Sequence, residues 1–383
     1  MHNYPSPELL ETPLTRLIGS HIDSPRLDLK PNPLYEAEGL GLFKTHYYGG
    51  IKKYQWASIP LALHGVIVKE NGEKIELSIG KEDDQPVFFI SDLLPHLAQE
   101  QMKKKAIDVI TGENLNIIAA HIPYCHDEKI KDRVKLTVLN YFYERYGLKE
   151  EDFLSAEIEI VPAYKARDVG VDRSMIAAYG QDDRVCAFTS LKAVLEVEKP
   201  QFTSVAVFMD KEEVGSMGNT GAQSRMLKNF LAQLMDATQE GFDQLKLNKC
   251  LTNGKALSAD VTNAIDPDYT DVSDKLNSAY LGMGVALNKY TGSRGKSGAS
   301  DAHGEFMAYI RRLLNKNGIP WQVAELGKVD HGGGGTIAQF LANEGMDVVD
   351  CGVPLLCMHA PLEISSKGDV YATYKAYKAF FID

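Results

Sequence analysis

The chain has no run approaching the about 18 consecutive apolar residues that a membrane-spanning helix requires. Its opening stretch, MHNYPSPELLETP, has neither the basic nor the apolar region of a signal peptide, so secretion by the usual route is not expected. Positive charge is also in short supply. Against 52 Asp and Glu stand 41 Lys and Arg, a net charge of -11, which argues against broad binding to nucleic-acid phosphates or to an anionic membrane. Cysteine is sparse: Cys125, Cys186, Cys250, Cys351 and Cys357 form no CxxC pair, and their odd number suits reduced thiols and a cytoplasmic compartment. There is no GxSxG elbow for a serine hydrolase. The segment TGSRGKSG is not a Walker loop, because Tyr290 stands where the first glycine is required. Internal repeats and low-complexity tracts are absent, which removes solenoids and linker arrays.

What remains is a folded, soluble composition, 44% hydrophobic and 24% charged. At 383 residues the chain exceeds the usual span of one core, and two domains are expected. Thr15 to Gly19 reads as a strand that ends at His21-Ile-Asp23-Ser-Pro25, where Pro25 interrupts regular structure. From about Trp56 the pattern changes: HGVIVKENGEKIELSIG alternates around Asn71-Gly72 as a hairpin, and RVKLTVLNYFYERYG carries a helical stripe. Residues 56–157 are therefore read as an insertion into a domain formed by 1–55 and 158–383. The latter part alternates helix and strand: CAFTSLKAVLEV, SVAVFM, SRMLKNFLAQLMDAT, FMAYIRRLLNKNG, WQVAEL, TIAQFLANEG and MDVVDCG. Such alternation predicts an α/β fold with a mostly parallel central sheet. A closing helix is expected after Asp369, packing the stripe Val370, Tyr374, Tyr377 and Phe381 on the sheet.

The chemistry-bearing candidates are scattered. Asp210-Lys-Glu212-Glu213-Val-Gly215 follows the apolar strand SVAVFM, outside the carboxyl end of a strand, where open α/β sheets bind ligands. One of its glutamates can hold a metal while the other handles protons. His21 and Asp23, Asp182-Asp183, Asp260 and His359 each follow or interrupt an element. Singly, either histidine can be structural, Asp182 a helix cap and Asp260 a turn residue. Jointly, imidazole and carboxylate suit zinc, cobalt or manganese. His331-Gly-Gly-Gly-Gly335-Thr336 precedes a helix, so its amides can bind a carboxylate or carbonyl, or simply form a flexible turn.

The ordered segments HIDSPRLDLKP, DDRVCAF, DKEEVGSMGNTGAQS, SADVTNAIDPDY and CMHAPLE resemble the motifs of the aspartyl aminopeptidase family across almost the whole chain. The resemblance implies a metallopeptidase domain interrupted by a smaller dimerisation domain, with dimers assembling into hollow dodecamers that act on peptides. It implies two divalent ions, most readily zinc, bridged by Asp182, with His21 and Asp260 completing one site and Glu213 and His359 the other. Glu212 falls at the general base, and Asp23 at the residue that orients the metal-binding histidine or its neighbours. His96 resembles a histidine projected into a neighbouring subunit's site, with an ordinary surface or core position as its alternative. Gly334, Gly335 and Thr336 lie in a glycine-containing segment similar to the family's, as substrate contacts.

Two departures bear on these expectations. The segment before the HxDSP motif is shorter than the family's, and Asn263 and Asp266 stand where histidines are expected. Acidic-residue preference would need a basic partner, for which Lys289, Arg294 and Lys296 are candidates beside a role as solvated surface charge. A non-catalytic shell or cargo protein retaining the fold is the rival reading, and the intact Glu212 speaks against it.

Overall fold

The computed structural model describes residues 15–238 and 243–383, which cluster into two compact units. The first comprises residues up to Ser24 together with Ala166–Met358 and Glu363–Asp383. Its centre is a six-stranded sheet in the spatial order Thr203–Met209, Thr15–His21, Lys255–Ser258, Asp347–Gly352, Val285–Asn288, Trp321–Val323. Every neighbouring pair is parallel except Asp347–Gly352 with Val285–Asn288.

Why this sheet is buried on both faces follows from the strand alternation of side chains. Leu17 joins the cluster containing Val207, Leu231, Leu251 and Ile337. Its neighbour Ile18 joins another, with Phe306, Ile310, Tyr377 and Phe380. Ala256 and Leu257, then Val348 and Val349, divide between the same two clusters. Thr15–His21 is accordingly buried at every position, which explains why it reads as a strand without polar alternation.

The helices Met226–Thr238 and Ala338–Asn343 fall within the segments whose periodicity predicts them, and Gln181–Leu195 and Gly304–Lys316 overlap theirs but begin five and two residues earlier. The closing helix runs Lys367–Ile382, so it begins before Asp369 rather than after it. Asp369 is fully buried and its carboxylate accepts the Gly282 and Gly284 amides, each at 2.7 Å; it braces a distant loop. Tyr377 and Phe381 are fully buried, while Val370 and Tyr374 are partly buried against the same cluster. A second sheet in this unit pairs Glu363–Ser366 antiparallel with Met175–Ala178.

The other unit, Pro25–Lys165 with His359–Leu362, is built on a wholly antiparallel sheet. Leu61–Val68 and Lys74–Ile79 form the hairpin expected around Asn71-Gly72, closed by the Lys69 amide on the Glu73 carbonyl at 2.9 Å. The helix Arg133–Tyr146 buries Val134, Val138 and Phe142, one residue per turn. Phe142 packs edge-on to Phe43 and Phe153, with centroids 6.0 and 5.3 Å apart. This unit starts well before residue 56 and continues past residue 157, because Arg26–Ala37 and Leu40–Tyr48 are strands of its sheet, paired with Ala156–Pro162 and Ile117–Ala120. Composition changes at Trp56, but strand pairing across more than a hundred residues sets the boundary.

Candidate active site

Three adjacent parallel strands deliver His21, Glu212, Glu213 and Asp260 at or beyond their carboxyl ends, the ligand-binding edge of an open α/β sheet, and the first turn of the helix Gln181–Leu195 adds Asp182 and Asp183. His21 is the last residue of Thr15–His21, and the Ile22 amide continues the ladder onto the Met209 carbonyl at 2.9 Å. Beyond Met209 the chain turns sharply: Lys211 has φ 65°, Glu212–Val214 is one tight turn, and Gly215 has φ 95°. The Asp23 carboxylate holds that turn, accepting the Glu212 amide at 3.0 Å and the Glu213 amide at 3.2 Å. Asp260 follows Lys255–Ser258, where the Ala259 amide reaches the Gly19 carbonyl at 2.7 Å. A close backbone approach sets its place. A Cβ on Gly352 would lie 1.8 Å from the Asp260 carbonyl oxygen, so only glycine fits there.

Among the described residues, His21, Asp182, Asp183 and Glu213 each offer a ligand atom within 4.8 Å of the others. His21 Nε2 lies 3.4 Å from Asp260, and His21 Nδ1 lies 3.7 Å from both Asp23 and Asp183. Burial by itself would lower the His21 pKa, but the charge of Asp260 and the carboxylates of Asp23 and Asp182 raise it well above the ordinary imidazole value. Burial, then the neighbouring Asp182 charge, pushes Asp183 well up. Glu212 is pushed to about 8 by burial, with the charges of Asp260, Asp182 and Asp23 adding to it. The Asp183 carboxylate is buried, with the Ser24 hydroxyl beside it and the His21 ring 3.7 Å away. Crowded, buried acceptors of this kind fit a cation, which replaces protons in relieving their repulsion.

A pH dependence follows for the metal-free protein. Glu212 and Asp350, the latter raised to about 7 by burial, have folded pKa values above those of the unfolded chain. The folded state thus binds more protons between about pH 4 and 8, and its stability falls as pH rises through that window. Melting temperatures of chelator-treated protein should decline from pH 5 to pH 8, and the gain on adding zinc should be larger at the upper end. A melting temperature independent of pH would contradict this account.

His359 belongs to the Pro25–Lys165 unit, where its Nδ1 is 2.8 Å from the Gly50 carbonyl oxygen. His96 lies exposed in a turn of that unit. Gly334 accepts the Gly292 amide through its carbonyl, and the Thr336 hydroxyl donates to Asp350 at 2.7 Å. Lys289 and Lys296 both pair with Asp301, and Lys296 stacks 3.8 Å over the Tyr290 ring; Arg294 lines a small pocket with Lys296 and Lys328. Two residues without an assigned role in the sequence stand at the site. Asp183, a candidate with Asp182 in QDDRV but without an expected role, joins the cluster, and Glu363, the last residue of CMHAPLE, accepts the Asp182 amide at 3.0 Å. Adjacent acidic residues were the only signal for the former; nothing local marked the latter.

A histidine and carboxylates gathered at the ends of parallel strands, next to a glutamate with a raised pKa, define a metal-assisted hydrolase. The comparisons narrow that class. Residues 11–381 match the family of aminopeptidase I zinc metalloproteases (M18), and the chain belongs to it. A probable M18 family aminopeptidase 1 from Clostridium acetobutylicum is 56% identical over 365 residues, covering 95% of this chain and 78% of the relative. One from Thermotoga maritima is 53% identical over 363 residues, covering 95% and 79%. The crystal structure of the M18 aminopeptidase from Thermotoga maritima superposes with a TM-score of 0.93 at 52% identity, over 96% of this chain and 81% of that one. The chain is therefore an aminopeptidase of the zinc metalloprotease class, a hydrolase acting on N-terminal peptide bonds, and the shell-protein reading is not favoured.

Proposed function

We propose that the chain removes N-terminal residues from peptides with two divalent ions, most readily zinc, with cobalt or manganese as alternatives, held by His21, Asp182, Glu213, Asp260 and His359. The observation that carries this reading is the gathering of the buried His21, Asp182 and Asp183 with the half-buried Glu213. As the family resemblance implies, Asp182 would serve both ions, His21 and Asp260 would hold one, and Glu213 and His359 the other. When bound, the ions supply Lewis acidity, polarising the scissile carbonyl and lowering the pKa of water toward about 7. Glu212 takes the proton of the attacking water and delivers it to the leaving amine. Asp23 keeps Glu212 and Glu213 in register through their amides.

Gly334, Gly335 and Thr336 are proposed substrate contacts, and Lys289, Arg294 and Lys296 the basic residues that would favour an acidic N-terminal side chain. The Pro25–Lys165 unit is proposed as the inserted dimerisation domain. Assembly into dodecamers has support from a fold relative, the mature aminopeptidase 1 dodecamer of Saccharomyces cerevisiae, at 24% identity and a TM-score of 0.75. In such an assembly His96 would reach a neighbouring subunit's site. A cytoplasmic setting is consistent with five free cysteines, and no described helix is long and apolar enough to cross a membrane.

The test is amino-acid release from a panel of peptides differing only at the N-terminal residue, with particle mass recorded alongside. Release of single N-terminal residues by zinc-loaded protein is expected, with Asp and Glu leading the panel. Lys296→Gln should then raise KM for the acidic members several-fold and leave the others unchanged. Equal turnover of neutral and acidic members would remove the acidic preference alone; no release at all would remove the whole reading.

A further inference from the structure

The helix carrying Asp182 starts without a side-chain cap of its own. Its N-cap is Gly180, at φ 69°, which has no side chain to satisfy the first orphan amides. The acceptor comes instead from Glu363, far along the chain. Its Oε2 accepts the Gln181 amide at 2.6 Å and the Asp182 amide at 3.0 Å. Gln181 closes the arrangement. Its Nε2 donates to the Glu363 carbonyl at 2.5 Å and to the Ile176 carbonyl at 3.1 Å, and its Oε1 accepts the Ser365 hydroxyl at 2.5 Å. Glu363 is 1% exposed and lies on a strand whose register with Met175–Ala178 places it opposite Ala178.

A helix is ordinarily capped by the side chain of its own N-cap residue, Ser, Thr, Asn or Asp, whereas here the acceptor is supplied from Glu363. Here a buried carboxylate stands on the amide of Asp182, at the start of a helix whose first turn also holds the buried Asp183. The arrangement is costly for capping alone and makes sense where cations neutralise the cluster. We infer that Glu363 is a positioning residue for the metal site: it sets the Asp182 carboxylate by gripping that residue's own amide, and adds negative field at the start of the helix. It touches neither substrate nor reacting atoms. The inference rests on the ligand role proposed for Asp182.

Three variants of the full chain separate the contributions. Glu363→Gln keeps an acceptor oxygen and loses the charge, Glu363→Met keeps the volume and loses both, and Asp182→Asn tests the ligand itself. Zinc affinity is read by competition with a chromogenic chelator, and folding by circular dichroism of the metal-free proteins. Glu363→Met should bind zinc about 10–100-fold more weakly while folded, as loss of a ligand-orienting partner does, and Glu363→Gln should fall between it and the parent. Should Glu363→Met fail to fold, Glu363→Asp, one methylene too short to reach both amides, must show the weakened affinity. Parental affinity in a folded Glu363→Met or Glu363→Asp overturns the inference, as does a Gln variant no better than the Met variant. If Asp182→Asn also binds zinc like the parent, the ligand assignment fails instead.

Discussion

Glu212→Gln should reduce kcat for amino-acid release by about 100- to 10,000-fold while zinc content and fold stay those of the parent, the range expected on losing a general base. The side chain keeps its size and hydrogen-bonding capacity but can no longer take a proton. Its backbone position is set independently of its own carboxylate, because the Glu212 amide is held by Asp23 at 3.0 Å. Burial and the charges of Asp260, Asp182 and Asp23 place the Glu212 pKa at about 8 in the metal-free protein. A cation in the cluster offsets those charges and brings that value down toward the working pH, which suits an acceptor that must also release its proton. Measuring kcat and KM separately is decisive: the loss belongs in kcat, with KM little changed. A kcat within tenfold of the parent would remove Glu212 from the chemistry.

Metal removal should be the other large effect. Dialysis against a chelator is expected to abolish amino-acid release, and zinc to restore it. The same titration should raise the melting temperature. A ligand present at about a thousandfold over its Kd stabilises by about 4 kcal/mol, on the order of 10 °C for a domain of this size. The reason lies in the cluster: Asp182 and Asp183 are buried side by side, and burial together with the Asp182 charge pushes the Asp183 pKa well up. Without a cation the protein holds this charge only by taking up protons. Activity that survives exhaustive chelation, with zinc shown to be absent by elemental analysis, would refute the account.

Local pattern carried much of the fold. An apolar run such as SVAVFM, with adjacent carboxylates just beyond it, announces a buried strand with polar groups at its carboxyl end. The structure puts Thr203–Met209 and the Glu212–Val214 turn there. Asn71-Gly72 between alternating segments announces a hairpin for equally local reasons. The closing helix starts at Lys367, ahead of the expected Asp369, whose carboxylate accepts the Gly282 and Gly284 amides. Likewise Asp182 reads as a cap for its helix but sits inside the first turn, capped from Glu363.

By itself the sequence determined which elements form, because helical and strand periodicities, turn residues and strand-end acids are all decided within a few residues. It also carried the ordered motifs that point to a metallopeptidase. Only the tertiary structure decided which strands pair, hence that Arg26–Ala37 and Leu40–Tyr48 belong with Ala156–Pro162 and Ile117–Ala120. It also decided that Asp183 joins His21, Asp182 and Glu213, and that Glu363 takes the place of a side chain Gly180 lacks. Those outcomes depend on which buried polar groups find partners across long stretches of chain. Burial makes an unpaired amide or carboxylate expensive, and only the folded arrangement reveals where its partner comes from.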